Sequence, residues 1–311
     1  MTSRADPPRG RPPSDNSGRA DSPRCLLALN TAEGLLQVAL GMAGAEGWIL
    51  GGFEEIEAQG QGAETLILLI RDTFARAGLD PRALRRVAAV RGPGGFTGLR
   101  LGPVSAAGLA RACGALQAGI DYLPLLAQSA VRRLPPELRG PDGVRLWVIV
   151  HARRNLVYAR SFICPPAGPG DSGGPGAVFP GQESAGEGML ICPPARLASL
   201  ICAGASGFAG SGQRPLLLGS GLEKNREEFS RFLDGDGEKA ALLLPAEYAR
   251  PAPGDLLAAA AALEYGVEDI EPFYARPSDA EENLTLIAAS LGIDPDAAKV
   301  KLSDIAALRR N

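Results

Sequence analysis

The sequence predicts an α/β fold, and two observations carry that expectation. Short apolar runs of strand length alternate with longer segments of helical period. In addition, one pattern occurs twice: "LLALNTAEGLLQVAL" from Leu26 and "WVIVHARRNLVYARS" from Trp147 each read as strand, polar residue, short turn, strand, with Asn30 and His151 in equivalent places. Hairpins are common, so the likeness is either coincidence or the trace of a duplicated domain whose two lobes open with the same hairpin.

The elements follow in order. Residues 1–24, rich in Pro, Arg, Ser and Asp without apolar periodicity, predict a disordered tail. Leu26–Leu29 and Leu35–Leu40 form the first hairpin. Glu64–Ala77 has helical period, with Leu66, Leu69, Ile70, Phe74 and Ala77 on one face. Leu84–Val90 reads as a strand and Leu99–Cys113 as a helix closed by Gly114. Leu146–Val150 and Leu156–Phe162 form the second hairpin. Residues 165–188 are Gly/Pro-rich and read as a flexible insertion, as does the shorter stretch Ala203–Arg214. Leu216–Leu218 and Leu242–Leu244 predict strands, and Asp255–Tyr265 a helix. Residues 281–311 read as one or two short amphipathic helices. The expected division is a tail (1–24), a first lobe (25–121), a second lobe (122–280) and a helical extension (281–311).

Composition removes several functions. The chain has 311 residues and a net charge of −3, which gives no broad basic footprint for nucleic acid. Its five cysteines form no CxxC pair and predict reduced thiols. No apolar run is long enough to span a bilayer, and no apolar signal-peptide core follows the first residues, so the expected location is cytoplasmic. The single histidine, His151, excludes HExxH zinc sites, and no GxSxG elbow accompanies it.

Four stretches then carry a resemblance: "LALNTAEGLLQVAL", "GPGGFTGLRLG" (Gly92–Gly102), "VHARRNLVYA" and "EPFYARP". In order and spacing they resemble the bacterial TsaB family, whose usual forms are a DTS/DTA-type first turn, GPGSFTGLRIG, DARRGEVY and a terminal PVYLR. The resemblance covers roughly Cys25–Arg276. It implies a two-lobed duplicated fold of the actin/Hsp70/sugar-kinase type. It also implies a role as the non-catalytic, dimerising subunit of the machinery that makes N6-threonylcarbamoyladenosine on tRNA. The implied partners are a TsaD-like catalytic subunit and a TsaE-like ATPase, with tRNA reached only through the complex; for the chain alone two states stay open, homodimer and monomer. The chain itself is expected to need no cofactor or metal, any ATP or ADP sitting at the interface of the complex.

The glycine loop fits neither common nucleotide pattern. A P-loop needs Lys after its last glycine, where Leu99 stands, and GxGxxG fails at Thr97. What remains is a strand-to-helix turn, with Thr97 or Gly98 as the expected helix start. Two readings of the loop stay open, a structural turn or an anion contact at a helix start beside Arg100. The residues expected nearest a phosphate are Asn30, Thr31, Gly92, Gly94, Gly95, Thr97, Gly98, Arg100, His151, Arg153 and Arg154. In nucleotide-hydrolysing members of the implied fold an aspartate stands at both hairpin positions to organise Mg²⁺. Asn30 and His151 depart from this, so they are expected to cap turns and hydrogen-bond instead. Arg153 and Arg154 are either a solvated tip or a phosphate contact. "GSG" at Gly219–Gly221 falls in the region of the fold's adenosine loop and is otherwise a plain turn. Ile67 and Leu68 widen the apolar arc of the 64–77 helix. Either the second lobe or the tail covers them, or the helix pairs with a partner. The resemblance favours the partner, with Leu66, Ile67, Leu68, Ile70 and Phe74 as candidate interface residues. The competing function is a nucleotide-dependent phosphotransferase or ATPase of the sugar-kinase type; a stand-alone peptidase lacks its zinc ligands.

Overall fold

The computed structural model describes residues 24–58, 60–164, 166, 179–180, 188–207, 214–233, 241–276, 284–294, 296–297 and 300–301. The tail before Arg24, most of the 165–188 insertion and the end of the extension lie outside the described residues.

The first sheet has the order β3-β2-β1-β4-β5, built from β1 (Cys25–Asn30), β2 (Leu35–Gly44), β3 (Gly47–Glu57), β4 (Leu84–Gly92) and β5 (Leu116–Asp121). β1 pairs antiparallel with β2 and parallel with β4. Two helices cover one face, α1 (Gly62–Arg76) between β3 and β4, and α2 (Phe96–Cys113) between β4 and β5. All six residues of β1 are buried, because helices cover both faces of the sheet and leave no position for a polar alternation.

Helices α3 (Tyr122–Arg133) and α4 (Pro136–Arg139) lead to the second sheet. There β6 (Val144–Arg153) pairs antiparallel with β7 (Leu156–Cys164), and β7 with β8 (Phe179–Pro180) and β9 (Leu190–Cys192). Beyond α5 (Pro194–Gly207), β10 (Leu216–Leu218) lies parallel to β6. After α6 (Ser220–Lys224) and α7 (Arg226–Leu233), β11 (Leu242–Leu243) lies parallel to β10. The order β11-β10-β6-β7-β8 repeats that of the first sheet, strand for strand and direction for direction. The repeated hairpin is therefore the start of a repeated lobe, and the fold is the duplicated two-lobed one.

Three apolar clusters hold it. One joins the facing sides of the two sheets through α3 and α8 (Pro253–Ala261), with Leu26, Val90, Leu126, Val148 and Leu256 among its members. A second lies under α1 and α2, and a third between the second sheet and α5 to α7. Leu66, Ile70 and Phe74 of α1 are in the second cluster, buried against Leu27, Val38 and Leu40 of their own sheet. As candidate interface residues these three are corrected: the stripe that seats a helix on its sheet is not available to a partner. Ile67 and Leu68 face outward, 64% and 48% exposed.

Other boundaries moved for tertiary reasons. The helix expected to run to Tyr265 ends at Ala261, after which Gly266 pairs with Gln117 beside β5. The irregular stretch expected from Ala203 begins inside α5. From Pro253 on, the chain packs back on the first lobe: Leu257 lies against Gly41, and the Phe273 amide donates to the Arg91 carbonyl at 2.7 Å. A final helix, α9 (Leu284–Ser290), opens the extension.

Candidate functional site at the junction of the two hairpins

The first hairpin turn is a hub of hydrogen bonds. Asn30 Oδ1 accepts from the Ala32 amide at 3.1 Å, a side-chain turn typical of Asn, and Asn30 Nδ2 donates to Gln37 Oε1 at 2.8 Å. Gln37 Nε2 then donates to Glu55 at 2.6 Å and to the Pro251 carbonyl at 3.0 Å. Asn30 and Gln37 are both buried, so the direction of every bond in this row is fixed by its neighbours. An aspartate at position 30 would face Gln37 Oε1 acceptor to acceptor. Turning the Gln37 amide round would only move the clash to Glu55 and Pro251. Asn30→Asp is therefore expected to destabilise the protein by about 1–3 kcal/mol, the cost of an unpaired buried acceptor. Thermal unfolding checks this; a variant as stable as the wild type contradicts it.

The glycine loop rests on that same turn. The Gly95 amide donates to the Ala32 carbonyl at 2.8 Å, and Thr31 Oγ1 donates to the Gly98 carbonyl at 2.6 Å. A Cβ on Gly94 would stand 2.4 Å from the Ala32 oxygen, and one on Gly98 would stand 2.0 Å from the Thr31 oxygen. The glycines of this loop thus serve backbone-to-backbone packing, and the Gly95 amide is spent on the protein itself. Gly92, at φ +128°, supplies the one conformation in the loop that other residues resist. The expected helix start at Thr97 or Gly98 is corrected to Gly95, whose carbonyl accepts from Leu99 at 2.9 Å. Thr97 is exposed in the first turn and makes no cap.

Arg100 is exposed but engaged. Its guanidinium lies 3.9 Å from the centre of the Phe96 ring, and its Nε donates to the Tyr274 hydroxyl at 2.9 Å. The loop motif and the "EPFYARP" segment therefore meet in one aromatic cluster. Arg153 and Arg154 occupy the exposed tip of the second hairpin, where Asn155 takes φ +58°. Arg154 lines a recess with His151, Lys224 and Glu228. Burial and the nearby Lys224 charge hold the His151 imidazole below its usual pKa, so it is neutral at pH 7.

The residue that sequence reasoning missed is Glu33, in the first hairpin turn. Its Oε2 accepts from the Tyr122 hydroxyl at 2.9 Å, and its Oε1 accepts from the Ser220 hydroxyl. Ser220 is the serine of "GSG", and its Oγ accepts from the His151 amide at 3.0 Å. The two hairpins are thereby joined, Glu33 to Ser220 to His151. Gly219 and Gly221 let Ser220 approach, since a Cβ on either would lie 2.1 Å and 2.9 Å from the Ile149 carbonyl oxygen. Burial raises the Glu33 pKa, opposed by the Ser220 and Tyr122 hydrogen bonds and by Lys224. Burial, then the Glu33 charge, pushes Tyr122 well up, keeping it a hydrogen donor. A lone acid in a turn reads as solvated; the available signal was that no other carboxylate stands in either hairpin turn.

The Mg²⁺ that nucleotide-hydrolysing members of this fold use does not fit these residues. Both amide atoms of Asn30 are occupied, His151 offers nitrogen to an oxygen-seeking cation, and Glu33 is held by two hydroxyls. Among the described residues no group of three or more His, Cys, Asp or Glu is placed to hold a metal. No described helix is long and apolar enough to cross a membrane.

Comparison with known proteins agrees with this geometry. Residues 50–162 match the family model "TsaD: tRNA N6-adenosine threonylcarbamoyltransferase". A structure from Pseudomonas aeruginosa described as an uncharacterized protein with similarity to peptidase YeaZ is 23% identical, with a TM-score of 0.58, over 81% of this chain and 100% of that one. YeaZ from Pseudomonas aeruginosa is also 23% identical, with a TM-score of 0.53, over 76% of this chain and 90% of its own. No curated protein sequence matches the chain. The chain thus shares its fold with these two YeaZ-type structures, and its segment 50–162 is similar to the TsaD family model.

Proposed function

We propose that this chain is the non-catalytic partner subunit of a tRNA N6-threonylcarbamoyladenosine complex, and that it pairs with a TsaD-like catalytic subunit through α1 and α2. The observation that carries this reading is the outward apolar surface of the two helices. Ile67 and Leu68 on α1 are 64% and 48% exposed and Val104 on α2 is 70% exposed, and the helices touch where Gly62 meets Leu101. Large apolar side chains turned outward on two touching helices offer a surface on which a partner can dock. The absence of a Mg²⁺-organising carboxylate pair at positions 30 and 151 supports the non-catalytic part. In this reading the reacting groups belong to the TsaD-like subunit, a TsaE-like ATPase joins the assembly in the cytoplasm, and tRNA is held by the whole. Any ATP or ADP sits at the interface between subunits. The chain alone self-associates through the same helices.

Co-expression of the untagged chain with the tagged TsaD-like protein of the same organism tests the pairing. The expected result is a stoichiometric complex that survives gel filtration. Separate elution, together with Mg-ATP turnover by the chain alone after rigorous purification, favours the phosphotransferase instead.

A further inference from the structure

The tie between the lobes has the chemistry of a bound carboxylate. Glu33 receives two hydroxyl donors from different parts of the chain, Tyr122 at the start of α3 and Ser220 at the start of α6. Neither donor is free to turn elsewhere. Tyr122 is 2% exposed, and Ser220 Oγ already accepts from the His151 amide, which aims its own hydrogen at Glu33. The positive charge of Lys224 lies close enough to favour an anion at this place. Hydrogen bonds of hydroxyls to a carboxylate are among the stronger ones, and a buried donor left without an acceptor costs the full desolvation of that group.

We infer that the junction of the two hairpins is a carboxylate-binding site whose resident ligand is the side chain of Glu33. The site is assembled from the Tyr122 and Ser220 hydroxyls, and the chain fills it from within. Glu33 stands on the first lobe while Ser220 stands on the second, so the occupied site ties the two lobes by hydrogen bonds. A free carboxylate cannot compete with an attached one in the wild type, because the tether gives Glu33 a high effective concentration. Removal of the Glu33 carboxylate exposes a site that a small carboxylate fills.

The test is chemical rescue in the full chain. Glu33→Ala is expected to lower the Tm by roughly 3–6 °C. Formate, and acetate less well, should restore at least half of that loss saturably, while chloride at equal ionic strength should not. The wild type should show no such response. A Glu33→Ala variant that melts with the wild type overturns the inference, and so does a loss that neither acid repairs. Where Glu33→Ala gives no soluble protein, Glu33→Gln, Ser220→Ala and their double variant decide the matter. Strong non-additivity in Tm is expected, and additive losses overturn the site.

Discussion

Gly98→Ala is expected to cost about 3–5 kcal/mol and to lower the Tm by roughly 10 °C or more. The added methyl would lie 2.0 Å from the Thr31 carbonyl oxygen and 3.1 Å from its carbon, both backbone atoms that no rotamer change can move. Relief requires the start of α2 to lift off the first hairpin turn. That movement strains two tertiary bonds, Thr31 Oγ1 to the Gly98 carbonyl at 2.6 Å and the Gly95 amide to the Ala32 carbonyl at 2.8 Å. Gly108→Ala is the control. Gly108 lies on the same helix with nothing within 4 Å of its Cβ, so alanine there should stabilise by about 0.5–1 kcal/mol through helix propensity. Equal melting temperatures for Gly98→Ala and the wild type would show that the loop is not packed as described.

Ile67→Asp combined with Leu68→Asp is expected to abolish pairing with the TsaD-like subunit while the monomer stays folded. Each buried aliphatic side chain contributes about 1.5–3 kcal/mol to an interface, so losing two weakens binding by about a hundredfold or more. Desolvating two carboxylates at the interface adds to the loss. The monomer is spared because Leu66, Ile70 and Phe74, not Ile67 and Leu68, seat α1 on its sheet. Titration calorimetry with circular dichroism as the folding control reads both quantities. Wild-type affinity in the double variant removes α1 from the interface.

Both predictions rest on features that were unequally legible in the sequence. The hairpins, α1, β4 and the body of α2 announced themselves by period, since each sets a continuous apolar stripe against a sheet. β3 did not: "GWILGGFEEIE" mixes a glycine pair with an acidic outer face, as an edge strand can. α3 follows β5 without a linker, and the Asp121 side chain at its N-cap accepts from Arg91 rather than from the helix's first amides, so no start signal marked it. The start of α2 was misplaced because a contact across 63 residues of chain, Gly95 to Ala32, fixes it. The departures at Asn30 and His151 were visible from sequence, but their consequence was not. It depends on Gln37, Glu33 and Ser220, whose meeting is a product of the fold. For the same reason the sequence leaves the glycine loop open between a turn and an anion contact, whereas in the fold the Gly95 amide and the Gly94 and Gly98 Cβ positions face the hairpin turn.

The most direct measurement of the central claim is reconstitution of N6-threonylcarbamoyladenosine on tRNA, read by nucleoside mass spectrometry, with the TsaD-like and TsaE-like proteins of the same organism. Product should form at a useful rate only when this chain is added, and the Ile67→Asp/Leu68→Asp variant should fail to support it. Product formed equally fast without the chain would contradict its role as the partner subunit.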